Sequence, residues 1–216
     1  MSDFDTGAFR DRYCDLMEEI KQRMVVITNV VNGKAALPQR VAYELCHLQL
    51  RLICELIALG CLAAHGDLDE VRGKKLSKEY NADTIMKQLT ELHADFYPKP
   101  SRQIIDKKTG RPLKVEPITD GFLTKADLSR LYGECGNVLH RGNLRQVLKG
   151  DKSDVDLSSV TAWADKVLTL LGHHQIQMID KDHQFWALMK SGEDGKVHAY
   201  LMSVVTAKKD GGSAEA

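Results

Sequence analysis

The chain has 216 residues, 43% of them hydrophobic, and 30 basic residues balance 30 acidic ones. That length and apolar share suit one large domain, or one domain with an appendage, and exclude a disordered chain or a disulfide-held miniprotein. Zero net charge excludes a whole-protein electrostatic footprint for nucleic acid or anionic membrane, and 6% aromatics are too few for a series of base-stacking platforms.

The first residues show no basic stretch followed by an apolar run, so no secretory signal is expected. Helix 1 is predicted from Ala8 to Val31, because Phe9, Tyr13, Leu16, Ile20, Met24, Ile27 and Val31 recur at spacings of three and four. Asn32-Gly33 ends it. Pro38 opens helix 2 at its first turn, where a missing N–H costs nothing, and the helix runs to about Ala64. Its most apolar part, Leu52 to Ala64, is broken by Glu55 and reads as too short and too polar to span a bilayer. The five cysteines (Cys14, Cys46, Cys54, Cys61 and Cys135) include no C-x-x-C pair and read as reduced, buried, small hydrophobes. A cytoplasmic protein with no membrane contact is expected.

A charged connection leads to helix 3, with Ile85, Leu89, Leu92 and Phe96 facing inward and Pro98 and Pro100 stopping it. Arg102 to Pro117 reads as a small hairpin or a mobile loop around a Lys-Thr-Gly turn. Helix 4 starts at a capped Leu123–Asp127 segment and aligns Leu128, Leu131, Tyr132, Cys135, Val138 and Leu139. Helix 5 is predicted from Leu157 to Ile179, with Val160, Trp163, Ala164, Val167, Leu170, Leu171 and His174 on its stripe. Beyond Asp180 the period changes, and Phe185–Lys190 and Val197–Val205 flank a Gly-Glu-Asp-Gly hairpin turn. The expected fold is mainly α: a five-helix antiparallel bundle over residues 1–180, a C-terminal β-hairpin (181–207) packed on it, a small hairpin at 102–117, and a disordered tail at 208–216.

Charge is uneven along this neutral chain. Residues 1–20 carry a net −4 and residues 97–114 a net +5, while residues 141–152 add four bases against Asp151. The basic segments could meet RNA or an acidic protein partner; the alternative is a solvated loop kept soluble by lysine.

Two segments could carry chemistry. On helix 2, Arg40, Glu44, His47, Arg51 and Glu55 fall on one narrow stripe of an otherwise apolar helix. Burying charge costs several kcal/mol unless it is paired. The stripe is therefore either an exposed edge laced with ion pairs or the polar wall of a cleft. On helix 4, Gly133 and Gly136 lead to His140, Arg141, Gly142 and Asn143 near the helix end. His140 could act as acid or base there, or cap the helix. His173-His174 reads as a core or edge pair rather than a metal site, and no P-loop, dinucleotide fingerprint or nucleophile-elbow motif is present. No cofactor or metal is expected.

With Tyr132…Leu139-His140 on a late helix and a polar stripe on a long earlier one, the chain resembles the HEPN superfamily (higher eukaryotes and prokaryotes nucleotide-binding). The resemblance follows helix order over residues 8–180 and is most specific at Tyr132 to Asn143. It implies an α-helical, homodimeric protein: a metal-independent ribonuclease of a defence or toxin–antitoxin type system, or an RNA- or partner-binding module without an active site. Carried over, His140 would be the acid/base, with Arg141 or Arg51 stabilising the phosphate and Glu44, His47, Glu55, Tyr132 and Asn143 lining the site. Active members place an arginine four to six residues before the histidine; here the nearest preceding arginine is Arg130. A non-enzymatic dimeric interaction module, or a small-molecule sensor with its pocket between helices 2 and 4, is the alternative.

Overall fold

A computed structural model describes residues 6–66, 71, 73, 76–140 and 155–203. The first two helices, α1 (Thr6–Val31) and α2 (Gln39–Ala64), pair antiparallel. They pack tightly at Gly60, where a Cβ would lie 2.9 Å from the Met17 side chain and 3.3 Å from the Tyr13 ring. Only a residue without a side chain lets the helices meet there.

The buried stripe of α1 is Tyr13, Met17, Ile20, Met24, Ile27 and Val30. Leu16 and Val31, expected inside, flank it half-buried. The α2 helix is central and touches all four other helices, with Cys46, Leu50, Ile53, Cys54, Ile57, Ala58 and Cys61 fully buried. Its apolar run extends well before Leu52, so the helix is long and apolar enough to cross a membrane; two thirds (67%) of that window is instead buried inside the protein. All five cysteines are free thiols and four are buried, with burial pushing Cys46 up to about 11 and Cys61 to about 12.

The α3 helix (Ala82–Leu92) is capped by the Asn81 side chain, which accepts the Thr84 N–H at 3.1 Å. The α4 helix (Lys125–Leu139) opens on a reciprocal capping box between Thr124 and Asp127, as its start predicts. The α5 helix covers Ser158–Leu171.

Five strands follow the order β2-β1-β3-β4-β5, every neighbouring pair antiparallel. They are β1 (Lys99–Ile105), β2 (Pro112–Pro117), β3 (His173–Gln177), β4 (His183–Leu188) and β5 (His198–Ser203). The expected helical bundle with a separate terminal hairpin is therefore corrected to a mainly α protein with one five-stranded sheet. Helix 5 stops at Leu171, eight residues before its predicted end at Ile179, and His173–Gln177 becomes the central strand. His174 satisfies both the helical spacing from Leu170 and a two-residue alternation with Ile176, and the sheet decides between them. The hairpin predicted at 102–117 exists as β1 and β2, and β1 joins it to β3. Residues 208–216, and Val204 and Val205 of the last predicted strand, lie outside the described residues.

Alternation across the sheet sets His174, Ile176, Phe185, Ala187 and Ala199 on one buried face, against which α1 and α5 pack. His174 is fully buried, its Nδ1 on the Leu171 carbonyl at 2.8 Å and its Nε2 hydrogen-bonded to the Tyr13 hydroxyl. It is a core histidine, as its sequence position suggested.

Candidate functional site at the α2–α4 seam

The polar stripe of α2 divides along its length. At its exposed start Arg40 pairs with Glu44 at 2.7 Å. His47, one turn on, is buried and bonds its own helix, Nδ1 lying 2.9 Å from the Tyr43 carbonyl. Burial lowers the His47 pKa from its ordinary value, with the Tyr43 carbonyl and Glu134 acting against that shift. Neither Glu44 nor Arg51 hydrogen-bonds His47, and Arg51 pairs instead with Glu55.

Arg51 and Glu55 meet α4. The Arg51 Nη2 donates to the Tyr132 hydroxyl oxygen at 2.8 Å, and that hydroxyl donates to Glu55 Oε1 at 3.1 Å. The guanidinium carbon lies 4.1 Å from the centre of the Tyr132 ring, and Arg51 Nε is 3.5 Å from Glu55. Burial and the Glu55 charge raise the Tyr132 phenol above its usual range, so it stays protonated and bridges the pair. One turn along α4, Gly136 leaves room for the arginine: a Cβ there would sit 3.3 Å from Arg51 Nη1. That Nη1 has no hydrogen-bond partner among the described residues. The seam thus holds a guanidinium fixed by two neighbours, with one edge open over bare backbone.

Glu55 opposite Tyr132 and Arg51 opposite Gly136 define antiparallel packing of α2 and α4. His47 stands one turn before Arg51 on α2, and His140 one turn beyond Gly136 at the end of α4. His140 ends α4, its backbone N–H donating to the Gly136 carbonyl at 3.0 Å, and it is exposed. Its ring bonds no last-turn carbonyl among the described residues, so the backbone, not the imidazole, closes the helix. Arg141, Asn143 and the basic segment 141–152 lie outside the described residues. The predicted set is thereby sorted: Arg51, Glu55 and Tyr132 come together, His47 and His140 flank them without bonding each other, and Glu44 stays with Arg40.

Sequence reasoning passed over a second polar cluster, between α4 and α5. Glu134 accepts the Trp163 indole N–H at 3.1 Å, and Arg130 and Lys166 both lie over the Trp163 ring, at 4.8 and 5.1 Å. Asp127 receives Arg130 at 2.7 Å and Lys166 at 3.0 Å. Burial pushes the Asp127 carboxyl up, but the hydrogen bonds from Lys166 and the Thr124 N–H outweigh it and hold the group below its usual range. The spacing of Asp127, Arg130 and Glu134 signals neighbours on one helix face. Their partners on α5 carry no such signal.

Elsewhere, His65 and His93 both approach the Gln177 carbonyl, at 3.3 and 2.8 Å. The Ser101 hydroxyl lies 2.7 Å from His173 Nδ1 on the sheet. Among the described residues no group of three or more His, Cys, Asp or Glu side chains is placed to hold a metal ion. An open groove of about 570 Å³ runs between α1 and α2, lined by Asp15, Glu18, Glu19 and Arg23 among others, away from the α2–α4 seam. No family model, curated protein or solved structure matches the chain.

Proposed function

We propose that the protein binds RNA through the α2–α4 seam, in the manner the HEPN resemblance implies, with Arg51 taking a backbone phosphate. The observation that carries this reading is the open edge of Arg51. Tyr132 and Glu55 fix the guanidinium from one side, while Nη1 lies over Gly136 with no hydrogen-bond partner among the described residues. Guanidinium edges suit phosphate oxygens, and preorganisation lowers the entropy lost on binding. The β1–β2 turn carries Lys107, Lys108 and Arg111, which form no ion pair among the described residues and offer a separate basic surface to a phosphate backbone.

Metal-independent cleavage is the second reading, favoured by the register that sets exposed His140 one turn beyond Gly136. There a 2′-hydroxyl would give its proton to His140 and attack the adjacent phosphorus, the P–O5′ bond would break to leave a 2′,3′-cyclic phosphate, and the departing 5′-oxygen would take that proton back from His140, with Arg51 stabilising the negative charge on the phosphoryl oxygens.

The test is a mixed-RNA assay in excess EDTA with the parent chain, Arg51→Gln and His140→Ala. Binding that falls at least tenfold in Arg51→Gln, and weakens with salt, is expected; parent binding unchanged in Arg51→Gln overturns the seam as the phosphate site. Cleavage by the parent and none by His140→Ala is the result expected of the second reading. Equal cleavage by both removes His140 from the chemistry.

A further inference from the structure

The sheet has two edges of opposite chemistry. The β2 edge carries Pro112 and Pro117, which have no N–H to donate, with Lys114 and Glu116 between them, and its pairing to β1 shifts register at Ile104/Ile105. Prolines, charges and irregular register are what keep an exposed strand from pairing with another chain. The β5 edge has none of these. Its sequence, His-Ala-Tyr-Leu-Met-Ser, holds no proline and no Asp, Glu, Lys or Arg, and among the described residues its one strand partner is β4. Tyr200, Leu201 and Met202 are 56%, 46% and 46% exposed. Because consecutive residues point to opposite faces, apolar surface is bare on both sides of this edge.

We propose that β5 is a docking edge whose occupant is a second copy of this chain, paired antiparallel across a two-fold axis so that the two sheets become continuous. Charge selects that occupant. In an antiparallel pair across a two-fold axis, residues at the axis face their own symmetry mates, so a lysine or glutamate there would face its like. With no formal charge in β5 from Ala199 to Ser203, self-pairing meets no such repulsion. Two charged pairs beside the strand are internally compensated: His198 lies 3.1 Å from Asp194, and Glu18 of α1 pairs with Lys21 at 3.0 Å. Apolar continuity points the same way. Leu201 sits opposite buried Phe185 in the register, so a copy of β5 alongside would extend the layer that Phe185 and Ala199 begin. The proposal is independent of RNA binding.

The experiment is light scattering on the full chain, on Met202→Lys, on Met202→Glu, and on an equal mixture of the two. The parent is expected as a dimer, each charged variant as a monomer at the same concentration, and the mixture as a dimer again. A monomeric parent at every concentration, or variants as dimeric as the parent, overturns the proposal. Amide exchange on the parent alone gives a second measurement that no variant can compromise. Exchange within 198–203 should slow at least tenfold from dilute to concentrated solution, and concentration-independent exchange there also overturns it.

Discussion

His174 shows how one side chain ties the core to solution pH. Its Nδ1–H donates to the Leu171 carbonyl, which leaves Nε2 bare to accept from the Tyr13 hydroxyl. Protonation would place a positive charge in a fully buried site, and burial accordingly depresses its pKa to about 4 from an ordinary 6.5. With the folded pKa below the unfolded one, the unfolded chain takes up the proton first. Stability is unaffected above about pH 6.5 and falls as pH drops from there toward 4, by up to about 3 kcal/mol. Urea unfolding at pH 7 and pH 4.5 should show a larger loss for the parent than for His174→Gln; identical losses would mean that another group carries the acid sensitivity. At this scale the sequence revealed part of the site. The Arg51–Glu55 pair follows from a spacing of four on one helix. The Tyr132 hydroxyl between them, and Trp163 under Arg130, needed the packing of α4 against α2 and α5, which no local spacing encodes.

Helix contacts are decided by where side chains are missing. Adding a methyl at Gly60 would press it against the flexible tip of Met17, 2.9 Å away, and against the Tyr13 ring at 3.3 Å, which His174 and Phe185 hold in place. Gly60→Ala is expected to destabilise the protein by about 1–3 kcal/mol through overpacking. Gly133 is the opposite case: nothing lies within 4 Å of an added Cβ, so Gly133→Ala should stabilise α4 by up to about 1 kcal/mol. Denaturant midpoints moving in opposite directions for the two variants would bear this out, and a shared direction would contradict it. The same physics explains which elements were legible. Long amphipathic helices announce themselves by a 3.6-residue period, and α4 also by its Thr124–Asp127 box. The β3 strand did not, because a five-residue run holding two histidines and two glutamines has little β preference of its own. It becomes a strand because β1 and β4 pair with it on both sides.

At the scale of the molecule, the two ends of the chain are stitched together. The Glu18 carboxylate accepts the Val197 N–H at 2.6 Å, and Lys21 donates to the Gly195 carbonyl at 2.8 Å, so α1 holds the β4–β5 turn directly. Burial pushes the Glu18 carboxyl up, but these partners, Val197 first and then Lys21, bring it below its usual range. Removing the acceptor in Glu18→Ala should cost about 1 kcal/mol and speed amide exchange at Val197 to Ala199. Unchanged exchange there would show that β4 alone fixes the strand. This closure was invisible to a reading in chain order, which grouped the helices as one unit and the terminal strands as an addition.

The Glu18–Val197 bond spans 179 positions and the Tyr13–His174 bond 161, so the first helix waits for the last strands. During synthesis α1 and α2 leave the ribosome while the residues that cover Tyr13 are still untranslated. Their apolar flank stays uncovered until β3 to β5 have been made. Native structure is then gained late and largely in one step, since closing so long a loop gains little until its far contacts form. Truncation just before β5 would cost more than one strand. It would leave the earliest-made helix without the contact that completes it.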